Sequence, residues 1–482
     1  MSRQSDYERN ERVRNDRVRS ERVRNDRVRN ESKSDERERS ERERIRRRRA
    51  ARRRRIVMRR RIIVASAALL IIIILGGVIR HSLAKSSKDE PEKASADKLT
   101  IESSEADSPE EYQEATATLF TAGDIIMHKP FLTSPVYLKD DGSYDYNPIF
   151  TYVKDYFESA DFTVTTLECA LVESDYTGYP TFHAPDAIAE ALAANGVDMC
   201  LLANNHIYDN GDEGLQRTMD VMTQNSLLYT GTRKTESDKT YMIQEINGIK
   251  VGFFNYVFET EQVNGQKSIN GIAVSDESAP LINSFNSNDL DAFYQDIEAG
   301  LKEMEEENVE FTVAYMHWGI EYQTQESDEQ DAMAQKLCDL GIDALIGSHP
   351  HVIQPVDLLE SSDGSHQMLC AYAIGNHLSN QRTEYMDGLA YGHTEDGLML
   401  SLTLHRDTDG QVSIEKADFI PTWVSLTSGN GATYYILPLD EPDKLEEKTG
   451  LSVSGDVQQS LERTNAIIGE GVNKIQNALP LK

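Results

Sequence analysis

Five short runs of apolar, strand-favouring residues in this chain each stop at a side chain able to bind a metal ion. Residues 119–123 (Leu-Phe-Thr-Ala-Gly) run into Asp124, and residues 162–167 run into Glu168. Residues 197–203 run into Asn204-Asn205-His206, residues 311–316 into His317, and residues 344–348 into His349-Pro350-His351. Short apolar runs bounded by polar turns read as strands buried on both faces. In open α/β sheets, ligands bind outside the carboxyl ends of such strands. Groups far apart in sequence can therefore meet in one pocket.

The segments between these runs carry helical patterns. Residues 185–195, 212–225, 290–307 and 330–340 read as helices, the second with Leu215, Met219 and Met222 on one face and Asp212 as its cap. Residues 241–245 and 249–256 bracket Asn247-Gly248, a strong hairpin signal. Further strands are predicted at 368–374 and 398–404, the latter turning at Asp409-Gly410 into 412–420, and a last helix at about 457–477. This mixture predicts an α/β sandwich with sheets inside and helices outside.

Charge divides the chain. Residues 1–61 hold 26 Lys plus Arg against 12 Asp plus Glu, a net of +14, which leaves 24 against 69, a net of −45, out of the total of −31. Residues 11–30 repeat a five-residue unit of the type Glu-Arg-Val-Arg-Asn, too poor in apolar side chains to build a core. Residues 62–79 contain no charge, and as a helix they would span about 27 Å. The basic excess before them predicts a cytoplasmic N-terminus in a bacterial cell membrane, with everything after residue 80 outside. A cleaved signal at Ser82-Leu83-Ala84 is the alternative, but the long basic region and long apolar core favour a retained single-pass anchor. The expected organisation is a disordered Arg-rich tail (1–61), a transmembrane signal-anchor helix (62–79), a polar linker (80–112), a folded domain (113–430) and a partly helical C-terminal extension (431–482). The arginines are suited to anionic lipid head groups, and nucleic acid is not expected as a partner. Cys169, Cys200, Cys338 and Cys370 lack zinc-knuckle spacing, and their pairing is not readable.

Taken together, Gly123-Asp124, Thr166-Leu167-Glu168, Ala203-Asn204-Asn205-His206 with Asp209 and Gly211, His317-Trp318-Gly319 with Glu321-Tyr322, Gly347-Ser348-His349-Pro350-His351, and residues 372–376 closely resemble the CapA family of poly-γ-glutamate capsule synthesis proteins. The resemblance covers about residues 115–425. It implies a four-layer α/β/β/α metallophosphatase-like sandwich with two divalent ions (Mn, Fe or Zn) at the strand ends. By that resemblance Asp124, Glu168, Asn205, His317, His349 and His351 would be ligands and His206 the general acid or transition-state stabiliser. His128, Glu321 and Asn376 are further candidates. His349 and His351 are expected on one side of an extended segment, and Asp209 in a turn that enters a helix. The chain departs from the family where Thr166 replaces the usual Asn, Ser348 replaces a His, and His377 follows Gly375-Asn376 in place of Phe.

Two functions follow from the resemblance as expectations. One is a metal-dependent hydrolase, phosphoesterase-like enzyme or transferase acting on an envelope polymer such as poly-γ-glutamate. The other is a non-catalytic scaffold in a capsule synthesis or export complex with other membrane proteins. The −45 outside the membrane would repel a polyanion, although screening beyond about 8 Å limits that effect and bound divalent ions would reverse it locally.

Overall fold

Alternate residues of the first strand face two different cores, as the two-residue period of a strand requires. In a computed structural model that describes residues 112–385 and 392–481, Leu119 joins a core shared by two sheets, whereas Phe120 joins a core beneath helices. The same alternation places Phe253 and Val313 between the sheets and Phe254 and Ala314 on the opposite face.

The larger sheet has eight strands, in the order Ala432–Pro438, Val412–Ser428, Asp396–Arg406, Ala115–Ile125, Phe162–Leu167, Met199–Leu201 and Leu228–Thr230, with Asn376–Leu378 beside Ala115–Ile125. The last four in that order are parallel. Helices Ala187–Ala194 and Gly211–Gln224 bury Leu192, Leu215 and Met219 in the core on its outer face. The second sheet, of seven strands, sets Ile249–Phe258, Phe311–His317, Ala344–Ser348 and Gln367–Ala371 side by side and parallel. Helices Asp291–Glu306 and Asp328–Asp339 bury Ile297, Met304, Met333 and Leu337 in the core on its outer face. Between the sheets, Thr121 Oγ1 lies 2.9 Å from Tyr315 Oη, a buried polar tie within an apolar layer. The mixed α/β sandwich read from the sequence is present.

Several local readings change. Asp212 does not cap its helix: Asn210 precedes the first turn, and the Asp212 carboxylate accepts hydrogen bonds from Tyr208 Oη and Ser275 Oγ. Residues 431–482 are not an appendage. Ala432–Pro438 is an edge strand of the larger sheet, and helix Ser454–Ala478 places Ile468 and Ile475 in the core between the sheets. Gly471 permits that docking, since a Cβ there would stand 1.5 Å from the Val356 carbonyl oxygen. The four cysteines are buried free thiols. The expected tail, membrane helix and most of the linker lie outside the described residues. Among the described residues, no helix is long and apolar enough to cross a membrane.

Candidate metal centre

The parallel strands end together, and their terminal side chains converge. Asp124 is the penultimate residue of Ala115–Ile125, at a register shift beside Asn376. Gly123 makes the approach possible, because a Cβ there would lie 2.1 Å from the Gly375 carbonyl oxygen. Glu168 follows Phe162–Leu167, His317 ends Phe311–His317, and His349 follows Ala344–Ser348. All of these side chains are buried, as are those of Asn205, His206, His351 and Asn376.

Glu168 is the meeting point. Its Oε1 lies 3.8 Å from His317 Nε2, 3.8 Å from His351 Nε2 and 4.0 Å from His206 Nε2. Asp124 Oδ2 is 3.9 Å from His351 Nδ1 and accepts a hydrogen bond from the His349 backbone N–H at 3.1 Å. Three donor groups have their ligand atoms within 4.8 Å of one another: Glu168, His317 and His349; Asp124, Glu168 and His351; and Glu321, His349 and His351.

Outer contacts orient these donors. His317 Nδ1 is 2.8 Å from Ser348 Oγ, and its Nε2 is 2.6 Å from Asn205 Oδ1. With the proton on Nδ1 and directed to Ser348, Nε2 and Asn205 Oδ1 offer lone pairs to the same space. Ser348 thus gives the neighbouring imidazole a partner. Asn376 Oδ1 lies 3.2 Å from His351 Nδ1, while its amide nitrogen donates to the carbonyls of His351 and Thr394. Asn376 is therefore in contact with a candidate ligand and holds it in place.

The electrostatics favour a cation. Burial raises the Asp124 carboxyl to about 7, against hydrogen bonds from His349, Thr166 and Ser348 that lower it. Burial, then the negative charges of Asp124, Glu321 and Asp209, push Glu168 well above the usual carboxylate range. Burial and neighbouring imidazoles hold His317 and His351 well below the usual range, and burial lowers His349 to about 3. Both oxygens of Glu168, Asp124 Oδ1 and His349 Nδ1 are buried without a hydrogen-bond partner. A buried polar atom left unpaired costs about 1–3 kcal/mol, and divalent cations in the groups that contain Asp124, Glu168 and His349 would relieve that cost, so the donor set fits them.

Two expectations about this site are corrected by its geometry. His349 and His351 are not on an extended segment: their φ angles are 96° and 58°, and their ring centroids are 5.8 Å apart. Left-handed backbone at a non-glycine residue costs about 1–3 kcal/mol, and here it turns both imidazoles into the cluster. Asp209 does more than form a turn: its Oδ2 lies 2.7 Å from His206 Nδ1 and also accepts the Phe182 backbone N–H. The i,i+3 spacing from His206 was the available signal. Asn270, which no pattern singled out, brings its amide nitrogen 3.3 Å from His206 Nδ1 from a turn beyond the strand Gln266–Ile269.

The remaining candidates divide. Glu321 is solvent-exposed yet belongs to one donor group. His128 stands outside all three groups, with Nδ1 accepting the Asn380 N–H at 3.2 Å and its ring edge-on to Phe182. Trp318 is buried in the core beneath the helices, its indole N–H donating to the Tyr372 carbonyl.

His377 is fully buried against Phe157, with neither ring nitrogen partnered, and burial lowers it to about 3. His377→Phe is expected to be more stable at pH 7 by about 1–3 kcal/mol. The unfolded chain binds a proton at this histidine near pH 6.5 and the folded chain does not until about 3, so stability falls as pH drops through that window. The phenylalanine variant lacks that loss, and its advantage should widen between pH 7 and 5. Denaturant midpoints at the two pH values measure it, and equal midpoints for both chains would refute it.

A family model and two relatives in sequence point to one family. The model described as "Bacterial capsule synthesis protein PGA_cap" matches residues 118–381. The chain is 26% identical over 290 residues to the capsule biosynthesis protein CapA of Bacillus anthracis, covering 58% of this chain and 64% of that one. It is 22% identical over 276 residues to the PGA biosynthesis protein CapA of Bacillus subtilis (strain 168), covering 56% and 64%. The match therefore spans somewhat less than two thirds of each relative. Among solved structures, the calcineurin-like phosphoesterase YfkN from Bacillus subtilis matches with 16% identity and a TM-score of 0.34, over 73% of this chain and all of that one.

Proposed function

Because the chain belongs to the bacterial capsule synthesis protein PGA_cap family, we propose that it is a membrane-anchored, extracytoplasmic protein of capsule polymer biosynthesis whose strand-end cluster holds two divalent ions and performs hydrolysis or transfer on an envelope polymer such as poly-γ-glutamate. The observation that carries this reading is the sharing of Glu168 between two donor groups, one with His317 and His349, the other with Asp124 and His351. A carboxylate with two buried, unpartnered oxygens is suited to serving both. Asn205 completes the first group through its 2.6 Å approach to His317. The relatives' names supply the capsule context.

Divalent ions held there would supply positive charge to activate a water and polarise a phosphoryl or acyl oxygen. The protein's own part is proton handling. His206 is held by Asp209 through Nδ1, which leaves Nε2 on the side facing Glu168. Nε2 can then carry a proton to a leaving group while Asp209 keeps the ring in place. The anchor rests on the uncharged run at residues 62–79 and the arginines before it.

The test uses the purified full-length chain with poly-γ-glutamate and, separately, a simple phosphodiester. Product that forms with Mn, Fe or Zn and disappears with a chelator is the expected result. A metal-loaded chain inert toward both substrate classes would replace catalysis by the scaffold role.

A further inference from the structure

His128 lies beside the donor cluster without joining it. It comes three residues after the strand Ala115–Ile125, is partly buried, and belongs to none of the three donor groups. It is nonetheless near them. Its ring interacts electrostatically with His206 and His351, whose Nε2 atoms lie 4.0 and 3.8 Å from Glu168.

The ring is held in place. Phe182 packs against both imidazoles, edge-on to His128 with ring centroids 5.0 Å apart and edge-on to His206 with centroids 4.6 Å apart. The Asp209 carboxylate that faces His206 Nδ1 also accepts the Phe182 backbone N–H, at 2.6 Å. The loop before Phe182 closes onto the residue after His128, since a Cβ on Gly178 would stand 2.6 Å from the Lys129 backbone nitrogen. His128, Phe182 and His206 therefore form one wall.

Hydrogen bonds decide where the His128 proton sits. Nδ1 accepts the Asn380 backbone N–H at 3.2 Å, so it carries no proton itself. The Ile126 carbonyl, the other polar group near the ring, already accepts the His128 backbone N–H at 3.0 Å. Burial, opposed by the Ile126 carbonyl and aided by the His206 charge, lowers the ring to about 4. One proton then remains, on Nε2, which has no hydrogen-bond partner and is not among the buried unpaired atoms. This leaves an uncharged N–H donor, open to solvent. Such a donor can stand beside divalent ions without being repelled by them, as a lysine or arginine would be, and a pre-positioned donor binds an oxyanion without reorganising.

We propose that His128 binds substrate, its Nε2–H donating to an anionic oxygen, phosphoryl or carboxylate, of the group on which the Glu168 cluster acts. The proposal rests on the metal-centre reading for the presence of that group.

Two measurements on the full-length chain test it. Two-bond proton–nitrogen correlation NMR of the metal-free chain, isotopically labelled at histidine, should show at neutral pH that the ring missing from His128→Gln has a bare Nδ1 and a protonated Nε2. The opposite tautomer would overturn the proposal. Calorimetry of the metal-loaded chain with inorganic phosphate and, separately, acetate should find at least one affinity that falls about tenfold in His128→Ala, the worth of one hydrogen bond to a charged group. His128→Gln, whose amide N–H can reach the place of Nε2, should restore it, and the phosphate and acetate arms tell a phosphoryl from a carboxylate partner. Metal content should be equal in all three chains. Absent anion binding by the metal-loaded wild type, affinities unaffected by His128→Ala, or metal lost in that variant would each overturn this assignment alone; a wild type that takes up no metal would overturn it together with the metal-centre reading.

Discussion

Alanine in place of His206 is expected to lower metal-dependent turnover by about 10²–10⁴-fold, the usual contribution of a positioned general acid, while leaving the metal content of the chain unchanged. The expectation follows from where the ring stands. Its Nε2 is 4.0 Å from Glu168, but His206 belongs to none of the three donor groups. Its Nδ1 faces the Asp209 carboxylate at 2.7 Å, which fixes the ring's orientation. Asp209→Asn keeps the shape but loses that charge, and a fall of about 10–100-fold is expected for a lost outer partner. Turnover and elemental content measured on the same preparations decide the matter. Loss of metal in His206→Ala would make His206 a ligand and remove it from proton transfer.

The second large effect concerns stability. Divalent ion at about one hundred times its dissociation constant should stabilise the wild-type chain by about 2.7 kcal/mol, and Glu168→Gln should abolish that gain. Burial makes the charged form of Glu168 costly without a cation, and glutamine keeps the side chain's shape while removing that charge. The metal-free variant should therefore melt close to the metal-free wild type. Only the response to added ion should differ. A variant that unfolds without metal, or one that still gains stability with it, would contradict the role given to this residue.

Much of the scaffold was legible because its signals are local. The Asn247-Gly248 turn has both residues at positive φ, 49° and 90°, as a two-residue hairpin requires. Helix Asp291–Glu306 lies within one residue of its expected ends, because its apolar face repeats at helical spacing. The convergence of Asp124, Glu168, His317 and His349 was legible for a related reason. A parallel strand delivers its last residues to one edge, and the apolar runs marked where each strand ended.

The misreadings concern partners distant in sequence or backbone that no periodicity reports. The strand Ala432–Pro438 pairs with Val412–Ser428, and the C-terminal helix fills the gap between sheets, yet neither carries a strong local sign of docking. The left-handed backbone at His349 and His351 is invisible in a His-Pro-His triplet, which by itself favours extended geometry. Asn270 reaches His206 from 64 residues away. Asp209 was seen and given a turn role, since aspartate before Asn210-Gly211 is ordinary turn chemistry. In each case tertiary contact decided.

The central claim is that donors from separate strands share bound cations, and elemental analysis of the purified full-length chain beside a His349→Ala, His351→Ala double variant tests it most directly. Two equivalents of a divalent ion in the wild type, falling to background in the variant, is the expected result. A wild type free of metal after growth and reconstitution with Mn, Fe and Zn, or a double variant that retains its full complement, would contradict the account.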